Sequence, residues 1–288
     1  MTTRVATKLP LIVFYPVVLM EPVKIITGDG TELPGFLFEP SVKSQKAIIF
    51  IHGWKDEILT NSFVRTIAEK AATSGIAALA FNNRGAGRLG AVEKFEDCIL
   101  DIGAAIRLMA GRGYERIYLA SHSTGCQKAA YYIHKGNNVS GVAFIEPTDD
   151  IALARKELGG RYEKAIEVAK ELVDSGKGNE MMPDWSLVGG RASAERYLSM
   201  FSNERTEGRI FDFSGKLEII SQIKDYTLCI YGSKSQYSDD PGGKLERLMY
   251  KMENSSAYLE EGAEHEFVGF EEKLAELIIS WIREKDIA

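Results

Sequence analysis

The sequence predicts an α/β fold: a mostly parallel sheet of about eight strands, helices on both faces and an inserted helical cap. Three observations predict it. Runs that are apolar throughout, at residues 47–51 and 76–81, suit strands buried on both faces. These runs alternate with stretches of helical periodicity, which implies right-handed βαβ units. The alternation stops at Glu146 and resumes at Tyr226, leaving an insertion too long for a plain loop.

The elements follow in order. Residues 23–27 and 33–38 are β-like runs joined by Gly28-Asp29-Gly30, a hairpin signal. A strand over 47–51, a helix over 62–72 ended by Gly75 and a strand over 76–81 come next. Over 93–109, Phe95, Ile99, Ile102, Ile106 and Met109 recur three or four apart, the spacing of one helix face. A strand over 117–120, a helix over 127–134 and a strand over 139–145 complete this half. The insertion holds a charged helix over 155–173 and a loop over 174–190 with Gly176, Gly178 and Pro183. Strands at 226–231 and 257–259 and helices at 245–252 and 273–284 close the chain.

The domain reading is an N-terminal arm over 1–22, a core built from 23–146 and 225–288, and a cap over 147–224. The apolar run over 9–20 is interrupted by Pro10 and Pro16. It is shorter than the roughly 20 apolar residues that span a bilayer. With Ile12, Val13, Val17 and Val18 it reads as an ordered arm or edge strand, and no membrane span is expected.

Bulk properties narrow the function classes. A 288-residue chain with 45% hydrophobic and 26% charged residues has ordinary globular composition and enough length for a large core. The net charge of −6, with no clustered basic face, argues against nucleic-acid binding. Cys98, Cys126 and Cys229 are odd in number and far apart, so neither a disulfide framework nor a zinc site is expected. Three reduced thiols fit a cytoplasmic protein. No metal and no organic cofactor are implied.

The chemistry centres on Ser121-His122-Ser123-Thr124-Gly125, between a strand and a helix. A sharp strand-to-helix turn lifts Ser123 clear of the sheet, and the helix N-terminus behind it favours developing negative charge. Such a turn asks for small residues around the nucleophile, and Ser121 stands where a glycine is usual. His52-Gly53-Trp54 follows the strand over 47–51, and the N–H groups of Trp54 and Thr124 are the expected oxyanion donors. His52 pins that loop. His265, in Gly262-Ala263-Glu264-His265 after the last strand, is the expected general base. His122 lies inside the turn and His134 closes a helix, so neither fits that role as well.

The carboxylate behind the base is expected after the strand over 226–231, yet Ser235 occupies that place. A neutral residue there can orient the imidazole without stabilising its charged form, and neutralising such an acid costs ~10⁴ in turnover. Asp239 ranks first as the replacement. Asp240, Ser235 itself and the group Glu146, Asp149 and Asp150 remain alternatives. Asn82-Asn83-Arg84-Gly85-Ala86-Gly87 lacks the endings of phosphate loops and reads as a structural turn. Trp185 and the aromatics Tyr162, Tyr197, Phe201, Phe211 and Phe213 either line a substrate pocket, Trp185 foremost, or fill the core of the cap.

Taken together, the strand before His52-Gly53, Asn82-x-Arg84-Gly85-x-Gly87, the turn at Ser123 and Gly262-Ala263-x-His265 resemble the α/β-hydrolase superfamily over residues 23–285. His122-Ser123-Thr124-Gly125-Cys126-Gln127, with Asp184-Trp185 and Ala194-x-Arg196-Tyr197, is similar to the family of the fungal siderophore (fusarinine C) esterase. That family would carry an aspartate at the place of Ser235. The resemblance implies a serine hydrolase acting on a small-molecule ester through an acyl-enzyme. A hydrolase-fold binding protein with weak or no activity, and a thioesterase, acyltransferase or peptidase using the same site, are the rival readings.

Overall fold

The computed structural model describes residues 18–42, 44–58 and 61–284. The arm reading therefore lies largely outside the described residues, Ile12, Val13 and Val17 with it. Eight strands form one sheet: β1 (Leu19–Ile26), β2 (Glu32–Glu39), β3 (Lys46–Ile51), β4 (Ala77–Phe81), β5 (Arg116–His122), β6 (Gly141–Ile145), β7 (Thr227–Gly232) and β8 (Ser255–Glu260). Their order is β1-β2-β4-β3-β5-β6-β7-β8. The first two form an antiparallel hairpin, β2 pairs antiparallel with β4, and every later pairing is parallel. The described edge strand β1 begins at Leu19, so the sheet starts inside the segment read as an arm.

The central strands are apolar throughout because both sheet faces are covered. In β3, Ile49 and Ile51 pack into one core while Ile48 and Phe50 pack into the other. The first core is closed by α2 (Cys98–Gly111), α3 (Gly125–His134) and α8 (Pro241–Lys251); the second is closed by α1 (Ser62–Thr73) and α9 (Glu271–Glu284).

The insertion contains α4 (Asp150–Leu158), α5 (Tyr162–Asp174), α6 (Ala194–Phe201) and α7 (Thr206–Ile210). The continuous helix expected over 155–173 is broken at Gly159, whose φ of 54° and ψ of −128° end α4 in a conformation that glycine adopts without strain. The helix expected from Glu93 begins only at Cys98, after a turn of 3₁₀ helix at Phe95–Asp97. Glu93 is instead buried against Lys128. Residues 151–201 build a separate apolar core for the cap, whereas Ile210, Phe211, Phe213, Leu217 and Ile220 belong to the core beneath the sheet. No helix among the described residues is long and apolar enough to cross a membrane.

A buried charge chain joins cap to core. Lys128 on α3 pairs with Glu93 at 2.6 Å, and Arg196 on α6 bridges Glu93 at 3.6 Å and Glu207 at 3.0 Å. All four side chains are sealed from solvent. Removing one partner of such a chain costs roughly 3–5 kcal/mol, because the other charge stays buried and unpaired.

Candidate functional site

The site stands at the carboxyl ends of the parallel strands, where loops meet outside the sheet. Chain direction reverses between β5 and α3 within two residues. Ser123 takes φ 55°, a left-handed conformation that a side chain adopts only under constraint. Its N–H donates to Ile145 O on the neighbouring strand at 3.0 Å, and its carbonyl accepts from Cys126 N at 2.9 Å. Ser121 tolerates the place of the usual glycine because its hydroxyl donates to Ala143 O at 3.0 Å across the sheet.

Two glycines let the loop after β3 touch this turn. A Cβ at Gly125 would overlap Ile51 O, and a Cβ at Gly53 would lie 3.0 Å from Ser123 Cβ and 3.5 Å from its Oγ. The backbone of Gly53-Trp54 thus passes directly beside the Ser123 hydroxyl. His52 fixes that loop: its Nε2 accepts from Asn83 N at 2.9 Å, so its Nδ1 carries the proton and donates to Gly53 O at 2.9 Å. Burial, reinforced by the Lys128 charge, pushes His52 down to about 4 and keeps it neutral. The Trp54 indole donates to Gly90 O at 2.7 Å.

His265 is buried in the loop after β8. Its backbone N–H donates to Gln236 Oε1 at 3.1 Å, and its ring meets Tyr237 edge-on with centroids 4.6 Å apart. Below it, His122 Nε2 donates to His265 O at 3.0 Å, so the histidine within the turn braces the loop carrying the other. Burial lowers the His122 pKa.

The His265 Nδ1 faces a carboxylate from the neighbouring strand end. Glu146, the first residue after β6, holds φ 55° and places Oε2 3.1 Å from His265 Nδ1. Its Oε1 accepts from Gly232 N at 2.6 Å, and its Oε2 also accepts from the Ser235 hydroxyl. The backbone of Glu146 is pinned by a 2.8 Å bond from its N–H to Ile230 O. Three donors converge on this buried carboxylate.

Ser123 and His265 open on one cavity of about 290 Å³, between the turn and the cap. A hydroxyl on a strained turn and an imidazole whose far nitrogen is bound to a carboxylate, opening on one cavity, are groups of the kind that acyl transfer uses. His122, His265 and Glu266 each bring one ligand atom within 4.8 Å of the others; His122 Nε2 and His265 Nδ1 serve protein partners, whereas among the described residues His122 Nδ1 has none.

A family model described as "Protein of unknown function (DUF1749)" matches residues 31–257. The chain belongs to the DUF1749 family. No curated protein matches it in sequence. Among solved structures it is similar to the siderophore hydrolase EstB from Aspergillus fumigatus, with 14% identity and a TM-score of 0.73, over 93% of this chain and 99% of that one. It is also similar to Est1E from Butyrivibrio proteoclasticus, solved with ferulic acid bound (15% identity, TM-score 0.67, 92% and 100% covered). A third likeness is to the Pyrococcus furiosus esterase Pf2001 (18% identity, TM-score 0.60, 93% and 91% covered). These likenesses establish the α/β-hydrolase fold.

In this DUF1749 chain the remaining sequence-derived site residues are distributed differently from expectation. Asp239 lies exposed on the surface and holds Lys156 Nζ of the cap at 2.5 Å. The loop after β7 runs directly into α8, which turns Asp239 outward. Asp240 caps that helix, accepting from Gly243 N at 2.9 Å. Asp149 caps α4 through Ala152 N at 2.9 Å and holds Phe213 N at 3.0 Å. Asp150 lines the cavity but is bound to Gln127, and Ser235 supports Glu146. Trp185 is 37% exposed on the outside of the cap, with Lys164 over its ring, and does not line the cavity. Val188 and Gly189, which follow it, do. Tyr162, Tyr197 and Phe201 are cap core, and Phe201 also reaches the cavity wall.

Proposed function

We infer that this protein is a serine hydrolase of carboxylic esters, acting through an acyl-enzyme on Ser123. The observation that carries the reading is the Glu146–His265 contact of 3.1 Å beside the strained turn at Ser123. His265 Nδ1 carries its proton toward Glu146, which leaves Nε2 unprotonated to take the hydroxyl proton of Ser123 as Oγ attacks the ester carbonyl. The Trp54 and Thr124 N–H groups receive the oxyanion, each worth ~10²–10³ in rate. His265 then passes the proton to the departing alcohol and next activates water to release the acid. Glu146 stabilises the imidazolium in both steps.

This reading places the acid one strand earlier than the sequence suggests and removes the main support for an inactive binding protein, the serine at position 235. Labelling with a fluorophosphonate probe, with Ser123→Ala as control, tests it. Stoichiometric labelling of Ser123 that is lost in the variant is expected. An unmodified protein, beside a fully labelled reference esterase, would contradict it.

A further inference from the structure

The loop after β7 brings one large side chain to the cavity that the acyl-transfer steps leave unused. Tyr237 lines the cavity wall and is 40% exposed, so its ring is open to what enters. The chain around it is fixed. Ser235 and Ser238, which flank it in the sequence, are buried, and Ser238 N donates to Ser235 O at 3.4 Å across a tight turn. Gln236 Oε1 accepts from His265 N at 3.1 Å and fastens that turn to the loop carrying the base. The Tyr237 ring itself stands edge-on to the His265 imidazole, with centroids 4.6 Å apart.

The chemistry directs the departing alcohol to this ring. Glu146 occupies His265 Nδ1, so Nε2 is the nitrogen that protonates the leaving oxygen. That transfer brings the oxygen within about 2.6–3.2 Å of Nε2. The carbon under attack is tetrahedral. One of its bonds runs to Ser123 Oγ, one to the oxyanion and one to the leaving oxygen, and the acyl arm takes the direction left over. The alcohol half therefore starts at His265, and the atoms after its oxygen fall within reach of Tyr237, which packs on that imidazole and lines the same cavity. A second aromatic ring placed there gains roughly two- to tenfold beyond what its buried area gives. Tyr237 brings this contact at little entropic cost, because its own turn is already ordered.

Resting on the ester-hydrolase reading above, we propose that Tyr237 determines specificity for the alcohol half of the substrate and selects esters of aromatic alcohols. The test compares benzyl butyrate with cyclohexylmethyl butyrate, whose alcohols share a carbon skeleton and differ in the aromaticity of the ring. The benzyl-to-cyclohexylmethyl ratio of kcat/KM is expected to fall about three- to tenfold from the wild type to Tyr237→Leu. It should hold in Tyr237→Phe, which keeps the ring. A second pair, methyl phenylacetate and methyl cyclohexylacetate, moves the same difference to the acyl half, and its ratio should not change among the three proteins. Tyr237→Met replaces Tyr237→Leu if that variant fails to fold. Equal loss on both butyrates would make Tyr237 a support for the imidazole alone and overturn the proposal. A change in the acyl pair at least as large as in the alcohol pair would overturn it as well. Failure of the underlying reading looks different: neither butyrate is hydrolysed and Ser123 resists the fluorophosphonate.

Discussion

The loops after β6 and after β7 follow neighbouring strands, and each carries acidic side chains, of which only Glu146 on the β6 side meets the His265 imidazole. The β7 loop has the exposed Asp239 and the helix cap Asp240. The β6 loop has Glu146, buried, with three donors on its carboxylate. Glu146 reaches the imidazole from the β6 side, and Ser235 on the β7 loop donates to its carboxylate. The difference teaches that burial and converging donors decide which of several nearby carboxylates meets the imidazole.

The comparison breaks most sharply by substitution at Glu146. Glu146→Gln is expected to lower ester turnover by ~10³–10⁴, the cost of neutralising the acid of such a triad. Equal loss in Asp239→Asn would reverse the assignment. The next effect is a rescue. In Glu146→Gln/Ser235→Asp, a carboxylate returns to the β7 loop, and turnover should rise about 10–100-fold above Glu146→Gln alone. No rise would mean that the β7 loop no longer approaches the ring as Ser235 suggests. Ser235→Ala alone removes one charge-assisted hydrogen bond and should cost about tenfold in kcat with little change in KM.

The two loops also differ in their response to pH. Asp150 on the β6 side is held at about 8, well above its value in an unfolded chain. Between roughly pH 4 and 8 the unfolded chain loses a proton that the native state keeps, so this group's contribution to stability falls as pH rises. Thermal melts should therefore show Asp150→Asn gaining on the wild type across that window and levelling off above it. Asp239→Asn, at the exposed ion pair, should show no such trend and should change turnover by less than about twofold.

How much of this was legible follows from how local each signal is. The strand, the small residues around Ser123 and the following helix are contiguous, so the turn could be read directly. His265 was legible from Gly262-Ala263 before it and its place after the last strand. Glu146 carried little local signal. It was one acid among three after a buried strand, and its role depends on φ 55° and on Gly232 N–H from a segment 86 residues away. The sharpest clue was that it follows β6 with no residue between, so its side chain starts at the sheet edge while Asp149 and Asp150 enter a helix. Trp185 misled because a large apolar residue in a cap reads the same whether it faces the cavity or solvent. The break at Gly159-Gly160 was written in the sequence, since paired glycines interrupt a helix.

The central claim, that Glu146 holds the His265 imidazole, is tested most directly by the low-field proton NMR signal of a hydrogen-bonded imidazole Nδ1–H. The signal should be present in the wild type and in Asp239→Asn and absent in Glu146→Gln. A signal that persists in Glu146→Gln and vanishes in Asp239→Asn would contradict the account.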